Sequence, residues 1–251
     1  MSPSKIAASC ILFTALNCLS LSARAEVIDI SSLEELAEYA SQSGNTVRME
    51  QGVYRMIDFI PLERISELRE NNAWHFIHFS GNDNIFDITD VTIEVDTQLR
   101  AELRAPIHNP EFLLSGDNNT LKGLTITNIG DGTSNAGNVF SIHGDGNTLR
   151  DCTFYVQGSY PYGYGDLFGK GGPGVIPHRK HSGLQIAGDN NRIIGCELYM
   201  SSYGHGFYIQ GATNTYFEDC YVEGEMRSTD DMLAETFGPA FEAEFRSVYR
   251  N

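Results

Sequence analysis

The chain has 251 residues, with 33 acidic and 17 basic side chains and a net charge of −16 when the histidines are neutral. A protein this acidic does not hold nucleic acid or an anionic membrane through general electrostatics. The length suits one domain with a sizeable core, and the sequence lacks the long helical periodicities of a helix bundle.

An export signal is predicted at the N-terminus. Lys5 provides a positive start, residues 6–21 are largely apolar but too short to span a bilayer well, and Ala23-Arg24-Ala25 is the small-x-small pattern that signal peptidase recognises. Cleavage near Ala25 predicts a secreted or periplasmic protein without membrane insertion. The remaining chain carries 15 basic and 33 acidic residues, a charge of about −18.

Three cysteines remain after this cleavage: Cys152, Cys196 and Cys220. An odd number predicts no small disulfide framework. No pair has the close CxxC spacing of a zinc or redox site. We therefore expect buried free thiols that pack as small hydrophobic side chains.

The first predicted element of the exported chain is an amphipathic helix over residues 33–40. Ser31-x-x-Glu34 is a capping box at its start, and Gly44-Asn45 ends it. Strand-like residues follow at 47–54. Such a helix would cover the open end of a stack of strands, which otherwise exposes core and unpaired strand edges.

A repeat of strand and turn occupies most of the remaining chain. Each copy has an apolar-x-apolar-x-Gly strand and a polar turn that ends in Asn, and a second strand follows. Successive corner glycines are 35, 28, 44 and 23 residues apart, which indicates a coil of about 23 residues with insertions. The copies begin at Ile77, Phe112, Phe140, Leu184 and Phe207, and they end at Asn84, Asn119, Asn147, Asn191 and Asn214.

This repeat predicts an all-β protein, a right-handed parallel β-helix with an N-terminal capping helix and a helical C-terminal tail. The recurrent Gly and Asn suit tight corners where a positive φ is needed. Alternation within the strands predicts one shared inner face for Phe140, Ile142, Leu184, Ile186, Phe207 and Ile209, and a core column for the three cysteines.

The repeat, together with residues 31–54, resembles the pectin-lyase-like superfamily of right-handed parallel β-helices over residues 27 to about 225. The resemblance implies a fold but no single activity, because that superfamily contains lyases, hydrolases, epimerases, esterases and non-catalytic proteins. We expect a signal peptide at 1–25, a β-helix domain at 26–225 and a tail at 226–251. The tail either closes the C-terminal end or is the truncated end of a longer solenoid.

Two insertions indicate a candidate site, because insertions in such repeats gather on one face. Residues 157–181 form the longer insertion and residues 201–206 the shorter one. Both insertions lead into the following strand at the same position of the repeat. The side chains that they contribute are Tyr162, Tyr164, Arg179, Lys180, His181, Tyr203 and His205.

The strands beside these insertions complete the predicted site. His181 and His205 should lie at neighbouring levels along one edge, since they occupy similar places in successive repeats. Gln185, Tyr208 and Gln210 should point outward from the adjoining strands.

This edge carries the groups that a polysaccharide lyase uses. β-Elimination removes a proton beside a uronic acid carboxylate, whose charge Arg179 or Lys180 can neutralise. A histidine or tyrosine can take the proton and return one to the leaving oxygen. The candidate catalytic residues are His205, His181, Lys180, Arg179 and Tyr208, and the candidate substrate-binding residues are Tyr203, Gln185, Gln210, Tyr162 and Tyr164.

We favour a lyase that acts on an extended, acidic polysaccharide, and two alternatives stay open. A glycoside hydrolase of the same fold would depend on carboxylates such as Glu223 and Glu225. With Asp230 and Asp231 these could instead bind Ca²⁺, although solvated acids on an acidic protein explain them better. A non-catalytic polysaccharide-binding protein is the other alternative. The sequence contains no metal-ligand spacing, no cofactor motif and no nucleic-acid module.

Overall fold

A computed structural model describes most of the chain after the predicted signal peptide, namely residues 26–134, 137–160, 179–225 and 227–242. The predicted signal peptide and the two tyrosines Tyr162 and Tyr164 lie outside the described residues. Within these ranges, no helix is both long and apolar enough to cross a membrane.

Strands and short helices alternate along the described chain. The strands are β1 Val27–Ile30, β2 Thr46–Met49, β3 Gly52–Arg55, β4 Ile77–Phe79, β5 Ile85–Asp96, β6 Pro110–Leu114, β7 Thr120–Ile129, β8 Gly137–Ile142, β9 Thr148–Arg150, β10 Thr153–Val156, β11 His181–Ile186, β12 Arg192–Ile194, β13 Glu197–Met200, β14 Phe207–Ile209, β15 Tyr216–Glu218 and β16 Tyr221–Gly224. The helices are α1 Leu33–Ala40, α2 Met56–Phe59, α3 Ile65–Glu70, α4 Thr97–Leu103, α5 Thr229–Leu233 and α6 Pro239–Glu242, with a 3₁₀ turn at Leu62–Arg64.

The strands form two parallel sheets. The larger sheet has 11 strands, with the main path β1-β2-β5-β7-β10-β13-β16, and the smaller sheet has five, in the order β14-β11-β8-β6-β4. Equivalent residues of successive repeats lie opposite one another, for example Phe112, Phe140 and Leu184. The strand positions and the in-register pairing that the repeat predicts are therefore confirmed.

The predicted fold class is wrong. The structure is a mixed α/β arrangement of an 11-stranded and a five-stranded parallel sheet with about 18% helix, and no closed or solenoid sheet is present among the described residues. Parallel strands need crossover connections, and the repeat pattern does not specify what those connections form. Besides α1, which connects β1 and β2, two of the described connections fold into helices, at 56–70 and at 97–103.

The N-terminal helix α1 has the predicted bounds, but its capping box lies one residue further along. Ser32 is the N-cap, and its Oγ accepts a hydrogen bond from the Glu35 backbone N–H at 3.2 Å. The Glu35 carboxylate accepts one from the Ser31 backbone N–H at 2.8 Å. Because the sequence has two adjacent serines and two adjacent glutamates, it allows a capping box at either position. The one that forms begins the helix in which Leu33 and Leu36 are buried.

The core lies between the two sheets and matches most of the predicted inner face. Phe112 and Phe140 stack with ring centroids 6.2 Å apart and planes 4° apart. Ile209, in the last repeat, is 51% exposed, so this face is less covered at β14. Cys152 and Cys196 are buried free thiols, as predicted, whereas Cys220 is a free thiol that is only half-buried, so the prediction of three buried cysteines is wrong in the last repeat.

A row of asparagines holds the corners that precede the second strands. Asn119 Oδ1 accepts hydrogen bonds from the backbone N–H and the Nδ2 of Asn84, both at 3.0 Å. Asn119 Nδ2 donates to the carbonyl of Gly81 at 2.9 Å and to Asn147 Oδ1 at 3.2 Å. Similar bonds connect the whole row, which comprises Asn84, Asn119, Asn147 and Asn191.

In the first four repeats the corner glycine is needed for close approach and not for a positive φ. A Cβ at Gly144 would collide with the carbonyl oxygen of Gly116, and a Cβ at Gly116 with that of Gly81. The positive φ in these repeats occurs one residue before the corner asparagine, for example 56° at Asn118. In the last repeat Gly211 and Asn214 themselves have positive φ, 86° and 55°, so the predicted conformational reason is confirmed only there.

Replacing Asn119 with alanine should lower the free energy of unfolding by about 2–4 kcal/mol, because several buried polar groups would lose their partner at once. Urea denaturation followed by circular dichroism measures this change. Asn71→Ala, at an exposed helix end, is the matched control and should change stability by less than about 0.5 kcal/mol. Equal effects in the two variants would contradict a structural role for the asparagine row.

Candidate functional site

Acidic side chains are distributed unevenly between the two sheets. Glu111 is the only acidic residue in the five strands of the smaller sheet, and it is 0% exposed. The larger sheet carries exposed acids in ion pairs, such as Asp29 with Arg48 at 2.7 Å and Asp87 with Lys122 at 3.8 Å. The outer face of the smaller sheet therefore repels an anionic ligand less than the outer face of the larger sheet does.

One row of side chains crosses the smaller sheet, because the register places His78, Leu113, Ser141, Gln185 and Tyr208 opposite one another. Five strands at the usual spacing of about 4.8 Å make this row about 19 Å long. Its centre is buried at Ser141 and Gln185, whereas its ends are accessible at His78 and Tyr208. The β14 end holds most of the predicted site residues.

A buried hydrogen-bond network supports the β14 end of this row. Asn138 Nδ2 donates to Ser141 Oγ and to Gln185 Oε1, both at 3.1 Å. Gln185 Nε2 donates to Gln210 Oε1 at 2.8 Å, and the Tyr208 hydroxyl donates to Asn138 Oδ1 at 2.7 Å. Gln185 is thus a buried support for the exposed Gln210 and does not face solvent as the sequence suggested.

The two groups best placed for proton transfer are His205 and Tyr208. His205 is exposed, and its ring centroid lies 5.0 Å from that of Tyr208. Burial raises the pKa of Tyr208 to about 12, and the hydrogen bond to Asn138 opposes this rise. The phenol therefore stays protonated at neutral pH and can donate a proton, while a neutral imidazole can accept one.

The predicted cations lie at the start of β11, next to the loop that leads into β14. Lys180 Nζ is 5.2 Å from the centroid of the Tyr203 ring, a cation–π distance. Arg179 is exposed, and its backbone forms an antiparallel bridge with Tyr160 through bonds of 2.7 and 2.8 Å. Both cations therefore lie at the edge that also carries His205.

The side chain of His181 lies in the interior and not on this edge. It is 1% exposed, with Nδ1 2.9 Å from Ser134 Oγ and Nε2 3.3 Å from Glu111 Oε1. The His205 backbone N–H donates to Ser182 Oγ at 3.1 Å, so His205 lies opposite Ser182, the residue after His181. A shift of one residue reverses the face of a strand side chain, so the expected shared edge for the two histidines is wrong.

His181 belongs to an interior polar cluster that the sequence analysis missed. Glu111 Oε2 accepts a hydrogen bond from Asn128 Nδ2 at 3.0 Å. Burial lowers the pKa of the Arg100 guanidinium, and the nearby charge of Glu111 opposes that effect. Ser134, His181 and Glu111 are the groups of a nucleophilic triad, but at 2%, 1% and 0% exposure they do not reach a substrate.

A signal for this cluster was present in the sequence. Glu111 follows Pro110 and precedes three apolar residues in β6, and an acid in such a strand must be buried with partners. Asn138 and Ser141 offered no comparable signal, because their roles depend on side chains from β11 and β14.

The carboxylates considered for a hydrolase lie on the larger sheet or just after it. Glu223 accepts a hydrogen bond from the Tyr221 hydroxyl at 2.6 Å, and Glu225 accepts one from Ser201 Oγ at 3.4 Å. Among the residues that the structure describes, no group of three or more His, Cys, Asp or Glu side chains is arranged to hold a metal ion.

No protein-family model matches the chain, and no curated protein matches it. The resemblance to the pectin-lyase-like superfamily therefore stays a prediction. A functional proposal has to rest on the residues of the site.

Proposed function

We propose that the protein cleaves an extended acidic polysaccharide by β-elimination at the edge formed by Lys180, His205 and Tyr208. The observation that carries the proposal is the His205–Tyr208 pair beside a sheet whose strands have no exposed carboxylate. An imidazole and a protonated phenol are a suitable proton acceptor and donor for elimination. The nearby cations favour an acidic polymer over a neutral one.

Each side chain has one task in the proposed reaction. Lys180 or Arg179 lies against the uronate carboxylate and makes the proton on the adjacent carbon more acidic. Neutral His205 takes this proton, and the electron pair that remains forms a carbon–carbon double bond and expels the glycosidic oxygen. Tyr208 protonates that oxygen. The phenolate then regains a proton from the imidazolium, and both groups return to their starting state.

The buried network under the site supports this assignment. Asn138 accepts the Tyr208 hydroxyl bond, and Gln185 holds Gln210. Polar groups fixed before substrate binds lower the cost of reaching a reactive geometry. The phenol ring is therefore held in place before the polymer arrives, and its hydroxyl hydrogen, which points to Asn138 Oδ1 in the free protein, turns to the leaving oxygen when the polymer binds.

The proposal is tested by incubating residues 26–251 with pectic, alginate-like and glycosaminoglycan polymers. Ultraviolet absorbance of unsaturated sugars and the release of reducing ends are followed in parallel. Elimination produces both signals, and we expect both from at least one uronate polymer. Reducing ends without absorbance would overturn elimination in favour of hydrolysis. Binding without either signal would overturn catalysis in favour of a polymer-binding protein.

We expect the cleavage rate to stay level between about pH 7 and pH 9, because the proton donor keeps its proton there. Because burial raises the pKa of Tyr208 to about 12, the phenol keeps its proton over this range. Initial rates at constant ionic strength measure the profile. A fall between pH 7 and 9 would contradict Tyr208 as the donor.

A further inference from the structure

Three histidines gather at the other accessible end of the smaller sheet. His75 and His78 have ring centroids 5.7 Å apart. The strand register places His143 beside Ser115, and His78 Nε2 lies 2.7 Å from Ser115 Oγ. His78 and His143 are exposed and His75 is half-buried. Across the sheet, about 19 Å separates His78 from Tyr208, and His143, which follows β8, is two strand spacings or about 10 Å from β14.

The hydrogen bonds leave ring nitrogens available for protonation. His75 Nδ1 is 2.8 Å from the carbonyl of Pro110, which only accepts, so Nδ1 carries the hydrogen and Nε2 is the titrating atom. His78 uses Nε2 toward Ser115, which leaves Nδ1. Each ring can therefore become an imidazolium while it keeps its contact.

The neighbouring charges disfavour that state unless an anion is bound. Burial lowers the pKa of His75, the hydrogen bond to the Pro110 carbonyl opposes this effect, and His78, Arg100 and His143 lower the pKa further. Burial also lowers the pKa of His78, and His143 adds to this effect. Other charged or titratable groups on the neighbouring elements are Asp83, Asp117 and Asp145 at the corners after β4, β6 and β8, Glu34, Glu35, Glu38 and Tyr39 on α1, Glu67, Arg69 and Glu70 on α3, Glu102 on α4, Arg104 and His108 before β6, and the buried Glu111.

We propose that His75, His78 and His143 form a second anion-binding subsite, which takes the carboxylate or sulfate groups of an acidic polysaccharide in mildly acidic solution. The nature of this ligand rests on the proposed function, whereas the subsite itself rests on the three rings. The patch belongs to the sheet whose strands carry no exposed acid, and the exposed acids next to it are the corner residues Asp117 and Asp145, two residues after Ser115 and His143. The buried centre of the row separates it from the Tyr208 edge.

The sign of the pH dependence follows from the histidines. A lowered pKa keeps His75 and His78 neutral at pH 7.5, and their protonation on acidification creates positive charge that attracts the anion. Dextran sulfate is a suitable probe, because its sulfates keep their charge over this range. We expect its affinity to rise about tenfold from pH 7.5 to pH 5.0 at constant ionic strength, since each exposed ion pair contributes a factor of about two to five.

The test compares the unmodified protein with the double variant His78→Gln/His143→Gln, by titration with labelled dextran sulfate at both pH values. We expect the affinity of the double variant to rise less than about twofold between pH 7.5 and pH 5.0, and we expect no binding of neutral dextran. Arg150→Gln is the control, because Arg150 is an exposed cation of the larger sheet. This control variant should show the full rise in affinity on acidification. The thermal melts of both variants should match that of the unmodified protein.

The subsite would be overturned if acidification did not raise the affinity of the unmodified protein for dextran sulfate. It would also be overturned if the affinity of the double variant rose by the full amount. An equal loss in Arg150→Gln would also overturn it, because general electrostatics would then explain the binding. Polymer cleavage at pH 7.5 should be unchanged in the double variant. If the unmodified protein cleaves no polymer but shows the histidine-dependent rise in affinity on acidification, the subsite stands and the proposed enzyme activity fails.

Discussion

His205→Ala should lower the rate of polymer cleavage by about 10²–10⁴-fold, the usual contribution of a general base. The exposed ring contributes little to the core, so the melting temperature should change by no more than about 2 °C. Initial rates from the absorbance of unsaturated sugars measure the effect. A rate within a factor of about three of the unmodified protein, with the fold intact, would place the base elsewhere.

Tyr208→Phe tests the partner group and should reduce the rate by a similar factor, because the phenol has no replacement as a proton donor. The matched control is Tyr216→Phe, which removes a hydroxyl from an exposed tyrosine on the larger sheet. It should leave the rate unchanged. If both variants lose activity equally, the effect of Tyr208→Phe cannot be assigned to proton donation.

The interior polar cluster gives the largest expected effect on stability. Glu111→Ala should lower the free energy of unfolding by about 3–5 kcal/mol, because removing one partner of a buried pair leaves the others uncompensated. Asn128 would lose its hydrogen-bond acceptor, and His181 and Arg100 would lose the neighbouring carboxylate. Urea denaturation followed by circular dichroism measures the loss.

Asp29→Ala is the control for this variant, because Asp29 also pairs with a cation but its side chain is 67% exposed. An exposed pair contributes about 0–1 kcal/mol, so the two carboxylates should differ by several-fold in their effect. If Glu111→Ala proves too unstable to purify, Glu111→Gln keeps an acceptor for Asn128 and should be less damaging. A loss below about 1 kcal/mol in both Glu111 variants would contradict a buried charged cluster.

The local elements were predictable because their signals lie within short stretches of sequence. The bounds of α1 follow from apolar spacing and a capping motif, and the paired strands follow from the recurrence of alternating apolar residues. The burial of Cys152 and Cys196 follows from the same alternation. Each of these inferences depends on neighbours within about ten residues.

The site was only partly predictable. His205, Tyr208 and Lys180 lie at one edge, as the phase of the two insertions indicated. His181 lies in the interior, because a shift of one residue in the pairing with the loop before β14 reverses its face. The sequence contained that shift, because His181 lies three residues before Leu184 and His205 two residues before Phe207, and Leu184 pairs with Phe207.

The sequence by itself determined which segments become strands, which residues of successive repeats pair, and that asparagines recur at the corners. Only the tertiary structure decided the mixed α/β class, the buried partners of His181, and the contacts of Asn138 with Gln185 and Tyr208. The physical reason is one of range. Alternation and capping act between near neighbours and the repeat recurs along the chain, whereas the form of the connections and the buried polar partners depend on residues that meet only after the sheets have formed.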